Sequence, residues 1–155
     1  MKRKLLTIGY GGFGIQEFLN ALVTNEVRWL IDIREIPVSR KEGFSKSVLK
    51  SHLDGVGIHY SHFGWLGSPG QSRSRLRETG DYDIFFREVR RQLETSESMT
   101  QIHEVVEIAK RERACLMCYC PRWELCHRRC VVEAIMSCSS LTVGHVEKRC
   151  PKATR

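Results

Sequence analysis

No stretch of the sequence approaches the ~18–20 consecutive apolar residues that a membrane-spanning helix requires, so no membrane role is expected. The start, Met1-Lys2-Arg3-Lys4, is basic, but Leu5 onward reads as a strand without a small-residue cleavage site, so no secretory leader is expected. Internal repeats and a second domain are not found. Nucleotide-loop signatures are missing too. Gly9-Tyr10-Gly11-Gly12-Phe13-Gly14 lacks the spacing of the dinucleotide fingerprint, and no phosphate-loop Lys-Ser/Thr is present. Those glycines read instead as a tight turn with close backbone approach. The doubled cysteine pairs of a zinc knuckle are also wanting. Cys118-Tyr119-Cys120 has a single residue between its thiols, and in a strand such neighbours point to opposite faces. No cofactor is therefore expected and no metal ligand is assigned, although zinc or an iron–sulfur cluster would have to use Cys118, Cys120, Cys126 and His127.

What is present fits one cytoplasmic α/β domain over residues 1–148, followed by a frayed basic tail at 149–155. Hydrophobic residues make up 41% of the 155 and charged residues 28%, a globular balance. The net charge of +7 attracts polyanions, so nucleic acid, DNA first, is the expected partner. The positive charge is grouped at Arg34, at Arg40-Lys41, at Arg73-Arg75-Arg77, at Arg87-Arg90-Arg91 and from Arg122 to Arg129. Seven cysteines, an odd number mostly crowded between Cys115 and Cys130, point to reactive, metal-bound or buried thiols in a reducing compartment rather than to a disulfide framework.

Apolar runs at Leu5–Gly9, Trp29–Ile33, Val56–Tyr60, Ala114–Tyr119 and Leu141–Val146 read as strands. Helical spacing recurs between them: Ile15, Phe18, Leu19, Leu22 and Val23; Ser45 to Leu53; Ile84, Phe85, Val89 and Leu93 behind an Asp81 cap; Ile102, Val105, Val106 and Ala109 behind a Thr100 cap; and a last helix within Pro121–Met136. His62 to Gly80 reads as a long loop. Alternation of strand and helix predicts a mostly parallel sheet of about five strands with helices on both faces. Ligands bind such sheets beyond the carboxyl ends of the strands.

The residues at those ends carry the chemistry. Cys126, His127 and Arg128 fall at the start of the helix after the fourth strand, where free N–H groups and the helix dipole favour a thiolate. Cys118 ends that strand, and Arg128 could fork a phosphate or carboxylate. Asp32 offers an acid or base, or an ion-pair partner for Arg34 or Arg40. Tyr10, Phe44, Tyr60 and Trp65 offer stacking surfaces, with Tyr10 and Phe44 placed to flank an extruded base. Arg34, Ser39 and Arg40 offer phosphate contacts, and Lys41 or Lys46 an amine nucleophile.

Thr7-Ile8-Gly9-Tyr10, Leu30-Ile31-Asp32-Ile33-Arg34 with Pro37, Ser39-Arg40 and Phe44, then Gly57-Ile58-His59-Tyr60, Leu66-Gly67, Leu116-Met117-Cys118 and Cys126-His127-Arg128 form one ordered pattern. It resembles the family catalogued as domain of unknown function 488, from about Leu5 to Val146. The resemblance implies an α/β fold and a shared polar site but no reaction. Many members resemble Cys-Ala-Glu ahead of the Cys-His-Arg; here Cys120 stands where that glutamate would be. Three functions are compatible with these residues. The first is a nucleic-acid-directed enzyme acting on a damaged or modified base, of glycosylase or glycosylase/lyase type. The second is a cysteine-dependent thiol or sulfur-transfer enzyme, and the third a non-catalytic nucleotide- or RNA-binding module.

Overall fold

A computed structural model describes residues 4–148, so the tail expected at 149–155 lies outside the described residues. Among them, five strands alternate with six α-helices. These are β1 (Lys4–Gly9), α1 (Ile15–Thr24), β2 (Trp29–Asp32), α2 (Lys46–Gly55), β3 (His59–His62), α3 (Gly70–Thr79), α4 (Tyr82–Leu93), α5 (Ser96–Arg111), β4 (Ala114–Cys118), α6 (Arg128–Ser137) and β5 (Thr142–Val146). Every strand pairing is parallel, in the order β3-β2-β4-β1-β5. The chain thus forms the expected parallel α/β sheet.

Side chains alternate across a strand, so the central strands feed two cores. Leu6, Ile8, Leu30, Cys115 and Met117 face one way and pack under α1 and α2, through Phe18, Leu22, Leu49 and Leu53. Leu5, Ile31, Leu116 and Cys118 face the other way, under α4, α5 and α6, through Val89, Val105 and Val131. Leu5, Ile8, Leu30, Ile31 and Leu116 are wholly buried. Each contributes roughly 1.5–3 kcal/mol by leaving water. Burial on both faces is why these strands read as unbroken apolar runs.

This topology positions the site. The chain after β1 and after β2 leaves toward the α1/α2 face, while the chain after β4 leaves toward α6. Since β4 lies between β1 and β2, three neighbouring carboxyl ends diverge and a crevice opens between them. No helix of the described residues is long and apolar enough to cross a membrane.

Several boundaries differ from the sequence expectation. The presumed loop His62–Gly80 contains a 3-10 turn (Gly64–Leu66) and the whole of α3. Helix α3 is polar around its circumference, burying only Ser72, so it has no apolar stripe to betray it. Helix α5 starts four residues before the expected Thr100 cap, because Thr95 accepts the Ser98 N–H. Asp81 does cap α4, accepting the Ile84 N–H at 3.1 Å. Strand β3 is displaced from Val56–Tyr60 to His59–His62, since Gly57 sits at φ 73° in the turn that ends α2.

Candidate active site

Strand β4 ends at Cys118, and the chain then makes a 3-10 turn (Trp123–Leu125) before α6. Cys126 follows that turn, His127 is the N-cap of α6 and Arg128 its first residue. This arrangement brings Cys118 and Cys126 together, with their sulfurs 2.9 Å apart and both thiols free. Cys120 lies beyond the end of β4, so strand alternation does not govern it. It packs against the same core as Cys118 instead of the opposite face.

His127 Nε2 lies 3.0 Å from the Ile33 carbonyl, which can only accept, so Nε2 carries a proton. His127 Nδ1 faces the Cys126 sulfur at 3.6 Å, where it accepts from the thiol or, once protonated, donates to the thiolate. The Arg128 backbone N–H donates to the same sulfur at 3.4 Å. Burial pushes Cys126 up, but hydrogen bonds from Cys118 and Cys120 and the charge of His127 together hold it well below the ordinary thiol range. Cys118 moves the opposite way, pushed up by burial and by its hydrogen bond to Cys126. Ionisation of the pair therefore falls on Cys126 before Cys118.

Arg128 supplies the countercharge. Its side chain is 1% exposed, and among the described residues it makes no ion pair with a carboxylate. NH1 donates to Thr7 Oγ1 at 3.1 Å and NH2 to the Cys120 carbonyl at 2.8 Å, while Nε is buried without a partner. Thr7 in turn lies 2.6 Å from His145 Nδ1. Burial and the nearby Arg128 charge hold His145 below the ordinary histidine range, so it accepts the Thr7 hydroxyl proton. The His145 ring stacks on Trp123 at 4.0 Å. A buried guanidinium without a carboxylate demands another anion. The adjacent thiolate is the one at hand. Arg128 is thus occupied and enclosed, and the expected forked grip on a ligand phosphate is not available to it.

A second polar group sits across the crevice at the end of β2. Asp32 is wholly buried. Its carboxylate accepts from Arg34 Nε at 2.9 Å, from Arg34 NH2 at 2.7 Å and from the Tyr60 hydroxyl at 2.7 Å. Arg34 also donates to the Tyr10 hydroxyl at 3.3 Å. Burial disfavours the Arg34 cation, but its bonds to Asp32 outweigh that and raise it above its ordinary value. Burial and the Asp32 charge likewise keep the Tyr60 phenol protonated. This is a satisfied network, and Asp32 is the ion-pair partner of Arg34.

Between the two groups lies a cleft of about 1050 Å³. Tyr10, Arg34, Ser39, Arg40, Cys118, Cys126 and His127 all line it. Arg73 and Arg77 of α3 and the half-exposed Tyr119 line it too, and the sequence had assigned them no place in the site. Phe44 and Lys46 are not among its walls. Tyr10 and Phe44 stack on each other at 4.5 Å between centroids and 12° between planes, which leaves no room for a base between them. Lys41 bonds the Gly11 carbonyl at 3.1 Å, and Lys46 opens α2 at the surface. Trp65 belongs to the 3-10 turn after β3.

A soft metal would find three donors in Cys118, Cys126 and His127, whose ligand atoms lie within 4.8 Å of one another. The fit is poor on two counts. Zinc–sulfur bonds of ~2.3 Å in a tetrahedron would hold the sulfurs roughly 3.7 Å apart, well beyond the observed 2.9 Å. A divalent cation would also add positive charge beside the unpaired Arg128.

Among protein-family models, that described as "Domain of unknown function DUF488" matches residues 14–135. No curated protein and no solved structure matches the chain.

Proposed function

Since the chain belongs to the DUF488 family, whose description names no reaction, we propose a function from the site itself: a cysteine-dependent enzyme of thiol exchange or sulfur transfer. The observation that carries this reading is the 2.9 Å approach of Cys118 and Cys126 beside a buried arginine that lacks a carboxylate. In this scheme the Cys126 thiolate attacks one sulfur of a substrate S–S bond. That bond breaks, and its other sulfur leaves as a thiolate that takes a proton. Cys118, whose proton the departing thiolate takes, then attacks Cys126 Sγ, only about 0.9 Å beyond bonding distance. The second substrate sulfur is released, and a Cys118–Cys126 disulfide remains. Two electrons have passed from the dithiol to the substrate, and a low-molecular-weight thiol returns them.

The test is alkylation followed residue by residue by mass spectrometry across pH. Cys126 should react first and at a pH below the free-thiol value of about 8.5. Cys115, which burial pushes up to about 12, should not react in the folded protein. Mild oxidation should give one intramolecular bond that Cys118→Ser abolishes. If Cys126 and Cys118 alkylate only after unfolding, the thiol reading fails.

The base-excision reading stands second. The arginines of the cleft rim favour it. Its acid, Asp32, is already committed to Arg34 and Tyr60, and its amine, Lys46, lies outside the cleft walls.

A further inference from the structure

We propose that a single-stranded nucleic acid binds beside the thiols, held along a track of arginines that runs from the cleft across α4. This binding does not depend on the thiol reading.

Three cavities adjoin one another. The thiol cleft shares Arg73 and Arg77 with a groove along α3, and it shares Tyr82 and Leu125 with a groove over α4. Their combined walls hold nine arginines against four carboxylates, and no lysine. Five of the nine are paired with carboxylates: Arg34 with Asp32, Arg73 with Glu35, Arg75 with Glu88, and Arg90 and Arg129 with Glu133. The other four, Arg40, Arg77, Arg87 and Arg91, make no ion pair among the described residues. Arg87 and Arg91 stand four residues apart on α4, a like-charge spacing that an anion lying between them relieves.

The choice of arginine over lysine matters. A guanidinium grips a phosphate through two N–H groups and stacks on flat rings, whereas an ammonium is a point charge. Aromatic surface is interleaved with the charge. Tyr82, at the junction of cleft and groove, is 37% exposed, and Tyr119, beside the thiols, is 59% exposed. Charge that tracks a backbone together with aromatic platforms for bases is the pattern of single-strand binding. The thiols also sit low in the cleft, at 2–3% exposure. A base stacked in a duplex does not reach that depth unless it is extruded, whereas one in a single strand is already free to enter.

The experiment uses the full chain carrying Cys126→Ser, so that no covalent step contributes. Fluorescence anisotropy measures its affinity for labelled mixed-sequence 20-mers of single-stranded RNA, single-stranded DNA and duplex DNA, and for polyglutamate, over a range of salt. At least one single strand should bind tenfold or more tighter than the duplex and polyglutamate. Its log affinity should fall with log salt by about 0.7 per phosphate neutralised. Arg87→Ala with Arg91→Ala should weaken that binding about tenfold and reduce the slope by about 1.4, whereas Arg111→Ala on α5 should change neither. In the native protein, the bound strand should slow Cys126 alkylation at least fivefold. Equal binding of duplex or polyglutamate, no binding at low salt, or an unaltered slope in the double variant would each overturn the proposal. None of these results bears on whether Cys126 is reactive, which the alkylation profile in the absence of nucleic acid decides.

Discussion

Arg128 links the chemistry of the cleft to the stability of the chain. It is a buried cation whose NH1 and NH2 groups are used by Thr7 and the Cys120 carbonyl, and whose nearest compensating charge is a cysteine. Replacing it by methionine keeps the volume and removes the charge. That leaves Thr7 Oγ1 and the Cys120 carbonyl without the Arg128 donors and the Cys126 thiolate without its cation. Arg128→Met should cost about 3–5 kcal/mol in denaturant unfolding, the range for breaking a buried charge pair. It should also move the Cys126 alkylation profile upward toward that of a free thiol. Arg128→Lys, which keeps the charge, should shift the profile less. An Arg128→Met protein that alkylates at Cys126 with the native pH profile would show that the arginine does not hold the thiolate. The sequence made the Cys126-His127-Arg128 cluster legible, because thiol, imidazole and guanidinium beside a helix start are a recognisable set. The inward turn of Arg128 was not legible, since one of its acceptors is a backbone carbonyl and the other a threonine more than a hundred residues away.

Where β1 and β4 end side by side, the backbone itself builds the site. Gly9 is paired with Cys118 in the sheet, and a Cβ at Gly9 would collide with the Cys120 carbonyl. That carbonyl is the acceptor of Arg128 NH2. Gly9→Ala should therefore push the segment after β4 away from β1, destabilise the fold by about 1–3 kcal/mol, and reduce Cys126 reactivity without touching a cysteine. Thermal unfolding and alkylation rate measure the two effects. A folded Gly9→Ala protein with native reactivity would mean that Arg128 does not need the Cys120 carbonyl. The same close approach accounts for the glycines of Gly9-Tyr10-Gly11, read from sequence as a tight turn, because Gly11 donates to the Tyr119 carbonyl at 2.9 Å. Strands β1, β2 and β4 were legible because burial on both faces makes them continuous apolar runs. Helix α3 was not, because it lies on the surface with little to bury, and with it Arg73 and Arg77 were lost from the expected site.

Oxidation of the dithiol tests whether the whole fold depends on the thiolate. A bond between Cys118 and Cys126 closes a loop eight residues apart in sequence. Chain entropy alone would then stabilise the oxidised protein by roughly 2.6 kcal/mol. Oxidation, however, removes the anion beside Arg128 and leaves a buried unpaired cation, a loss of about 3–5 kcal/mol. The second effect is the larger, so the reduced protein should be the more stable form, by about 1–2 kcal/mol near neutral pH. The sign of the pH dependence follows from the two shifts. Cys126 is depressed, so its contribution is full above the ordinary thiol pKa and is lost as pH falls through its folded value. Cys118 is raised, so its contribution is lost as pH rises above that ordinary value. The advantage of the reduced form should peak near pH 8.5, about the ordinary thiol pKa, and shrink on acidification. Guanidinium unfolding of the oxidised and reduced proteins at several pH values measures it. An oxidised form more stable by the full cross-link increment at every pH would mean that Arg128 needs no anion. The expected order has a functional consequence. A fold that stabilises its reduced form makes its disulfide a strong oxidant, readily returned to the dithiol by a small thiol, and limits the substrates of the dithiol to S–S bonds of still higher potential. An enzyme that begins each cycle with Cys126 as a thiolate requires that return.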